Sequence, residues 1–144
     1  MRRGITLVKI WSDADVIEAR ITTSDGTSSF TSDVYIGHQS LEQAVGDLTT
    51  FKDHVHGGVL DLRFGEFGPE YAAGAFHGRL HFPKPGQLYV TCRQQSAFED
   101  FTLTKVASEA TLYLKTEPGL LDRFITDLRD ISIEKRDEAY LEAI

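Results

Sequence analysis

The sequence predicts an α+β fold, with a largely antiparallel β-sheet and two main helices packed against it. Short runs of alternating apolar and polar residues dominate the chain, and turn residues join most of them. Only two stretches show a clear helical periodicity. Parallel βαβ units would need a helix between most strands, so the pattern favours strands layered against a few helices.

Length, charge and cysteine content restrict the class of protein. The 144 residues predict a single α+β domain, 1–144, which can bury about 70% of the surface that its unfolded chain exposes. Cys92 is the one cysteine, so no internal disulfide forms, as in a reducing compartment. We find no apolar stretch long enough for a signal peptide or a membrane span, and we expect a cytoplasmic protein.

The formal net charge of −7 bears on the possible partners. Nucleic-acid binding depends on phosphate neutralisation by Lys and Arg, so an acidic chain argues against it. A basic protein partner is compatible with the charge, because opposite charges speed encounter. A moderate net charge also simply keeps a small protein in solution.

The first part of the chain predicts three strands. Residues 5–11 and 16–23 alternate in polarity, and a turn at Asp13 separates them. Asp25-Gly26 between two alternating runs is a strong hairpin signal. The third strand carries Phe30, Val34 and Ile36 on one side.

The first helix follows the third strand directly. Ser40 with Gln43 three residues later has the spacing of a capping box, which predicts that the helix begins at Ser40. The helix should end near Asp53, because Gly57 and Gly58 do not continue it. Its apolar stripe consists of Leu41, Ala44, Val45, Leu48 and Phe51.

The second half predicts five more strands and a second helix. Thr116 or Glu117 caps this helix, and Pro118 lies in its first turn, where a missing N–H costs nothing. We interpret 133–144 as a short helix or a flexible tail. The strands are residues 59–64, 71–82, 88–93, 101–106 and 110–115, of which the last two form a hairpin. The helix stripe is Leu120, Leu121, Phe124, Ile125 and Leu128.

The histidines are the first candidates for chemistry. His77 and His81 have a spacing that brings two zinc ligands together on a helix, but on a strand it separates them by about 13 Å. Zinc needs ligand atoms at about 2 Å, so we predict no metal there. His54 and His56 can reach one ion from a loop, but no further ligand lies close in sequence.

No other motif predicts catalysis or a cofactor. Cys92 lies on the apolar side of its strand, which indicates an inert buried thiol. The chain contains neither the G-x-S-x-G sequence of a serine nucleophile nor a G-x-G-x-x-G or Walker sequence for phosphate. We therefore predict no catalytic residue, no metal ligand and no cofactor.

One group of residues points to recognition. Arginines, histidines and tyrosines fall on the outward side of the central strands, and Arg and Tyr are enriched at interface hot spots. Such a surface suits an acidic loop of a partner or a second copy of the chain. The alternative is an ordinary solvated face, on which they pair with Asp61 and Glu70. The candidate partner-binding residues are Arg63, Tyr71, His77, Arg79, His81, Tyr89 and Arg93.

Two stretches carry a resemblance to a known family. FTSDVYIGHQSLEQAVGDLTTF and ATLYLKTEPGLLDRFITDLRDI resemble the WapI-type immunity proteins and related small bacterial domains. The resemblance covers most of the chain in the order of its elements, and it implies a non-enzymatic protein that occupies and blocks a toxin. Its matching residues are core positions, namely Leu41, Leu48, Leu112, Leu114, Leu120 and Phe124.

The sequence leaves three hypotheses for function. The first is a protein-binding module of immunity type that neutralises a toxin, and the toxin is then the basic partner. The second is a homo-oligomeric structural domain, such as a homodimer. The third is a metal- or small-molecule-dependent enzyme that uses His77, His81, Arg79 and Asp61.

Overall fold

Two four-stranded antiparallel sheets form most of the protein in a computed structural model, which describes residues 2–54 and 57–144. The predicted α+β fold with antiparallel strands is confirmed, although the strands divide between two sheets. A small hairpin and two helices complete the described residues. The strands are β1 Gly4–Ser12, β2 Val16–Ser24, β3 Ser29–Gly37, β4 Val59–Gly65, β5 Ala73–Lys84, β6 Gln87–Ala97, β7 Glu99–Phe101, β8 Thr104–Val106, β9 Glu109–Thr116 and β10 Glu138–Glu142.

The first sheet has the strand order β10-β1-β2-β3. Its two hairpin turns are each held by an aspartate. The Asp13 carboxylate accepts hydrogen bonds from the N–H groups of Asp15 and Val16, and Asp25 accepts from those of Thr27 and Ser28. These bonds lower the pKa of both carboxyl groups, because they stabilise the charged form. The predicted β2–β3 hairpin is confirmed.

The second sheet has the strand order β4-β5-β6-β9. The predicted hairpin between 101–106 and 110–115 is wrong, because β9 pairs with β6 and the exposed β7 and β8 pair only with each other. The apolar side of β9 explains this pairing. Leu112 and Leu114 lie opposite Cys92 and Val90, so β9 extends the buried surface of the sheet.

The helices are α1 His38–Phe51 and α2 Pro118–Ser132. The prediction of a cap at Ser40 is wrong, since Gly37 precedes the first residue of α1. The N–H of His38 donates to the Asp15 carbonyl at 3.1 Å, which anchors the helix start to the β1–β2 turn. The prediction for α2 is confirmed, with Glu117 as its N-cap and Pro118 in its first turn. Neither helix is long and apolar enough to cross a membrane.

Strand β10 overturns the interpretation of 133–144 as a short helix or a flexible tail. Residues Glu138–Glu142 pair with β1 in an antiparallel register, with Ala139 opposite Leu7 and Leu141 opposite Ile5. Ala139 and Leu141 are both buried, so the segment has the period of a strand. Loss of this strand would leave the backbone edge of β1 unpaired.

One hydrophobic core extends through both sheets and both helices. A buried amide joins the sheets within it. The Nε2 atom of Gln94 on β6 donates to the Ile21 carbonyl at 3.1 Å and to Ser32 Oγ at 3.0 Å. The hydroxyl of Thr23 donates to Gln94 Oε1. This network satisfies the amide, as a buried polar group requires.

Candidate functional site

The exposed side of the second sheet collects most of the predicted partner-binding residues. Its strands place alternate side chains on one side, so inward residues build the core and the others face solvent. We call this exposed side the outer face. It carries Val59, Asp61, Arg63, His77, Arg79, His81, Tyr89, Thr91, Arg93, Glu109, Thr111, Tyr113 and Lys115.

The register of the strands sets the neighbours on the outer face. Arg63 lies opposite His77, which lies opposite Arg93. His81 lies opposite Tyr89 at the other end of β5. Directly opposed side chains have Cβ atoms about 5 Å apart, so these residues form continuous rows across the sheet.

Asp61 on β4 contacts two cationic or polar side chains of β5 on the outer face. Its Oδ1 atom lies 2.7 Å from His77 Nε2 and 3.3 Å from Arg79 Nε. The pKa of the Asp61 carboxyl is lowered, first by the hydrogen bond with His77 and then by the charge of Arg79. The carboxylate therefore fixes both side chains while leaving the Arg79 side chain 60% exposed.

Arg93 is held in a similar way at the centre of the sheet. One terminal nitrogen lies 3.2 Å from Glu109 Oε1, and the guanidinium lies 4.2 Å from the centre of the Phe67 ring. Stacking on an aromatic ring restrains a guanidinium and leaves its remaining N–H groups available. The side chain is half exposed, so these groups can bind a partner.

A depression of about 380 Å³ opens on the outer face. Its lining combines Arg79, His81, Tyr89 and Thr91 with the apolar Val59. Hydrogen-bond donors around a shallow apolar floor suit a carboxylate-bearing side chain.

The outer face differs in charge from the rest of the chain. It carries four permanently cationic side chains and two carboxylates, whereas the whole chain has a formal net charge of −7. The cationic residues are Arg63, Arg79, Arg93 and Lys115, and the acidic ones are Asp61 and Glu109.

Tyr71 lies apart from the other predicted site residues. The strand predicted for 71–82 begins at Ala73, so Tyr71 falls in the preceding turn and has no place in the rows of the outer face. It lines a different depression, together with Tyr35 of the first sheet. Tyr71 is 83% exposed.

The histidines and Cys92 are placed as follows. His77 and His81 lie four residues apart on the extended β5, which corresponds to about 13 Å. Among residues 2–54 and 57–144, no three His, Cys, Asp or Glu side chains are grouped to hold a metal ion. His56, the suggested partner of His54, lies outside the described residues.

Burial raises the pKa of the Cys92 thiol to about 12, which suppresses thiolate chemistry.

Seven members of the site were missed by sequence reasoning. Phe67 stacks under Arg93, and the other six lie on the outer face, namely Val59, Thr91, Glu109, Thr111, Tyr113 and Lys115. The alternation of 110–115 contains the signal for Tyr113 and Lys115, but the wrong strand partner placed them elsewhere.

No family model, curated protein or solved structure matches the chain.

Proposed function

We propose that this chain is a protein-binding domain of immunity type, which neutralises a toxin by occupying it through the outer face of the second sheet. The observation that carries the proposal is the outer face itself. It presents arginine, histidine and tyrosine side chains in ordered rows, with a net positive charge on an acidic chain.

Two arginine side chains of the outer face are held in place before a partner binds. Asp61 holds Arg79, while Glu109 and Phe67 hold Arg93, so both guanidinium groups lose little freedom when a partner binds. Arginine and tyrosine supply much of the binding energy at hot spots. We therefore expect the contact region of the partner to carry Asp or Glu side chains.

A different protein suits this face better than a second copy of the chain. A twofold dimer through the outer face would place the same net positive surface on both sides of the contact. Like charges brought together at an interface cost several kcal/mol. The toxin-blocking role is supported by the resemblance to immunity proteins of the stretches that form β3–α1 and β9–α2.

The first experiment removes the charge of the two restrained arginines. The double variant Arg79→Gln, Arg93→Gln is compared with wild type and with Lys105→Gln, Arg123→Gln, which alters the net charge equally at exposed positions off the outer face. Each immobilised protein captures partners from an extract of the source organism, with quantitative mass spectrometry as the readout. Circular dichroism checks that all three are folded.

We expect one protein to be retained by wild type and by the control but lost from the outer-face variant. The purified pair should then bind at least about tenfold more weakly when both arginines are neutralised. Equal retention by the outer-face variant would refute the proposed surface. A captured protein whose toxicity in a co-expression assay is unchanged by this chain would refute the immunity role.

A further inference from the structure

The free edge of β4 offers backbone groups for pairing. Strand β4 is the first in the order β4-β5-β6-β9 and has one neighbour. The N–H of Phe82 donates to the Gly58 carbonyl at 3.1 Å, immediately before β4. Backbone groups of an antiparallel strand alternate in direction, so those of Val59, Asp61 and Arg63 point away from β5.

The opposite edge of the sheet shows the same alternation. On β9 the carbonyl of Lys115, whose side chain lies on the outer face, accepts a hydrogen bond from the N–H of Ile144 at 2.8 Å. Outer-face residues thus direct their backbone groups outward at both edges. Within the described ranges, no segment pairs with β4 on its outer side.

Helix α1 forms the wall of a groove beside this edge. Two depressions of about 360 and 340 Å³ lie between α1 and β4, and Asp47 lines both of them. The first is lined by Gln43, Ala44 and Asp47 from the helix and by Asp61, Leu62 and Arg63 from β4. The groove therefore combines a polar backbone edge, a small apolar floor and a helix wall whose one charged residue is Asp47.

We propose that the groove between α1 and β4 binds an extended segment of a partner protein, which pairs with β4 as an added strand and places Lys or Arg side chains toward α1. Strand addition supplies main-chain hydrogen bonds, and the groove selects alternate side chains. The three outward-facing residues of β4 each offer one N–H donor and one carbonyl acceptor.

Charge selects a basic segment. Asp47 and Asp61 place two carboxylates in the groove lining against the one cation of Arg63, and α1 contains no Lys or Arg. Antiparallel pairing of two β4 strands about their centre, Leu62, would bring Asp61 opposite Arg63, so a second copy is the competing occupant that the test must detect. The inference goes beyond the proposed recognition by the outer face, since it uses the backbone edge of β4 and the wall of α1.

The probe is a seven-residue peptide of alternating Lys and Val with blocked ends, and the readout is amide hydrogen exchange measured by NMR. We expect the peptide to slow exchange at Val59, Asp61 and Arg63 by about tenfold or more, because their N–H groups become hydrogen-bonded. The amides of Leu60 and Leu62 already face β5 and should change little. Binding without protection at the three outward amides would refute strand addition.

Two matched comparisons separate strand pairing from attraction by charge. A peptide N-methylated at alternate residues keeps its charge but loses donors, and we expect it not to protect β4. Asp47→Lys should weaken binding of the unmodified peptide about tenfold, whereas Glu42→Lys, equally charged but outside the groove lining, should weaken it less. Equal binding of both peptides, or equal effects of both variants, would refute the inference.

The outer face provides an independent control for this inference. The variant Arg93→Gln should bind the Lys-Val peptide no more weakly than wild type, because neither Arg93 nor its contacts Glu109 and Phe67 line the groove. Light scattering at the peptide concentrations used should show a monomer. A dimer that the peptide dissociates would show that the edge of β4 pairs with a second copy, and would refute the choice of occupant.

Discussion

At the scale of single residues, Gln94 shows how the two sheets are held in one arrangement. The residue is 1% exposed, and its side-chain amide reaches Ile21 and Ser32 on different strands of the first sheet. A buried hydrogen-bond network of this kind is specific, because a shifted sheet would leave the amide unpaired. Its donors and acceptors thus fix the position of β6 against β2 and β3.

Replacement of this amide should destabilise the protein strongly. In Gln94→Leu the hydroxyls of Thr23 and Ser32 lose their partner inside the core, and each unsatisfied group costs about 1–3 kcal/mol. We expect the free energy of unfolding to fall by about 2–4 kcal/mol in urea titrations. The exposed Gln87→Leu on the same strand is the control, and an equal effect of both would contradict this role.

The sequence predicts which side chains of a strand face the core, but it does not predict the hydrogen bonds that bury Gln94. Period-2 alternation places Leu62, Phe76 and Val90 in the core, and the structure agrees. The alternation of Leu88, Val90 and Cys92 puts position 94 on the buried side as well, but the predicted strand ends at residue 93 and glutamine is mostly an exposed residue. Its partners on the first sheet lie 62 and 73 positions away in the chain, so only the tertiary packing explains its burial.

At the scale of elements, the β2–β3 hairpin depends on the charge of Asp25. Its folded pKa lies below the ordinary value of 3.8, first because of its hydrogen bond from the Ser28 N–H and then because of that from Thr27. The contribution of this carboxylate to stability is present above the unfolded pKa. It is lost as the pH falls through the folded pKa.

The variant Asp25→Asn tests this linkage. The neutral amide keeps an acceptor oxygen but lacks the charge, so we expect wild type to be more stable than the variant at about pH 7. The difference should shrink as the pH falls below the ordinary carboxyl value of 3.8. Unfolding free energies of both proteins across this range give the measurement, with Asp100→Asn on exposed β7 as the control. A difference independent of pH would contradict the linkage.

The elements near the C-terminal end show where sequence patterns fail. The β2–β3 hairpin has a local turn signal, so its partners are neighbours in the chain. Strand β10 instead pairs with β1, 130 to 138 positions away, and its five residues are too few to separate a strand from a helix by periodicity. The pairing of β9 with β6 also lacks a local turn signal, so it could be found only from the structure. The positions of Tyr113 and Lys115 on the outer face follow from that pairing.

At the scale of the whole molecule, β4 is where the two proposed surfaces meet. Its side chains Asp61 and Arg63 belong to the outer face and also line the groove beside α1, which its backbone edge borders. The outer face has a net positive charge, whereas the helix wall of the groove carries Asp47. A partner that engages both must present carboxylates to the sheet and a basic extended segment to the edge, which is a stricter requirement than either surface sets alone.

The junction of the two sheets depends on a close backbone approach at Gly74. This residue has φ +107°, and a Cβ atom added there would lie 2.2 Å from the carbonyl oxygen of Asp33 on β3. No side chain fits at that distance, so Gly74→Ala must move β5 away from the edge of the first sheet. The expected result is a free energy of unfolding reduced by at least about 2 kcal/mol, from strain and displaced packing together.

The matched variant Gly86→Ala separates these two causes. Gly86 also has a positive φ, +82°, but an added Cβ would have no neighbour within 4 Å. It should therefore show the backbone strain alone, about 1 kcal/mol, in the same urea titration. Equal losses in the two variants would mean that the contact between Gly74 and Asp33 does not hold the sheets together. A larger loss of unfolding free energy for Gly74→Ala, together with faster hydrogen exchange at the protected amides of β3 and β5, would show that the sheets separate at this junction first.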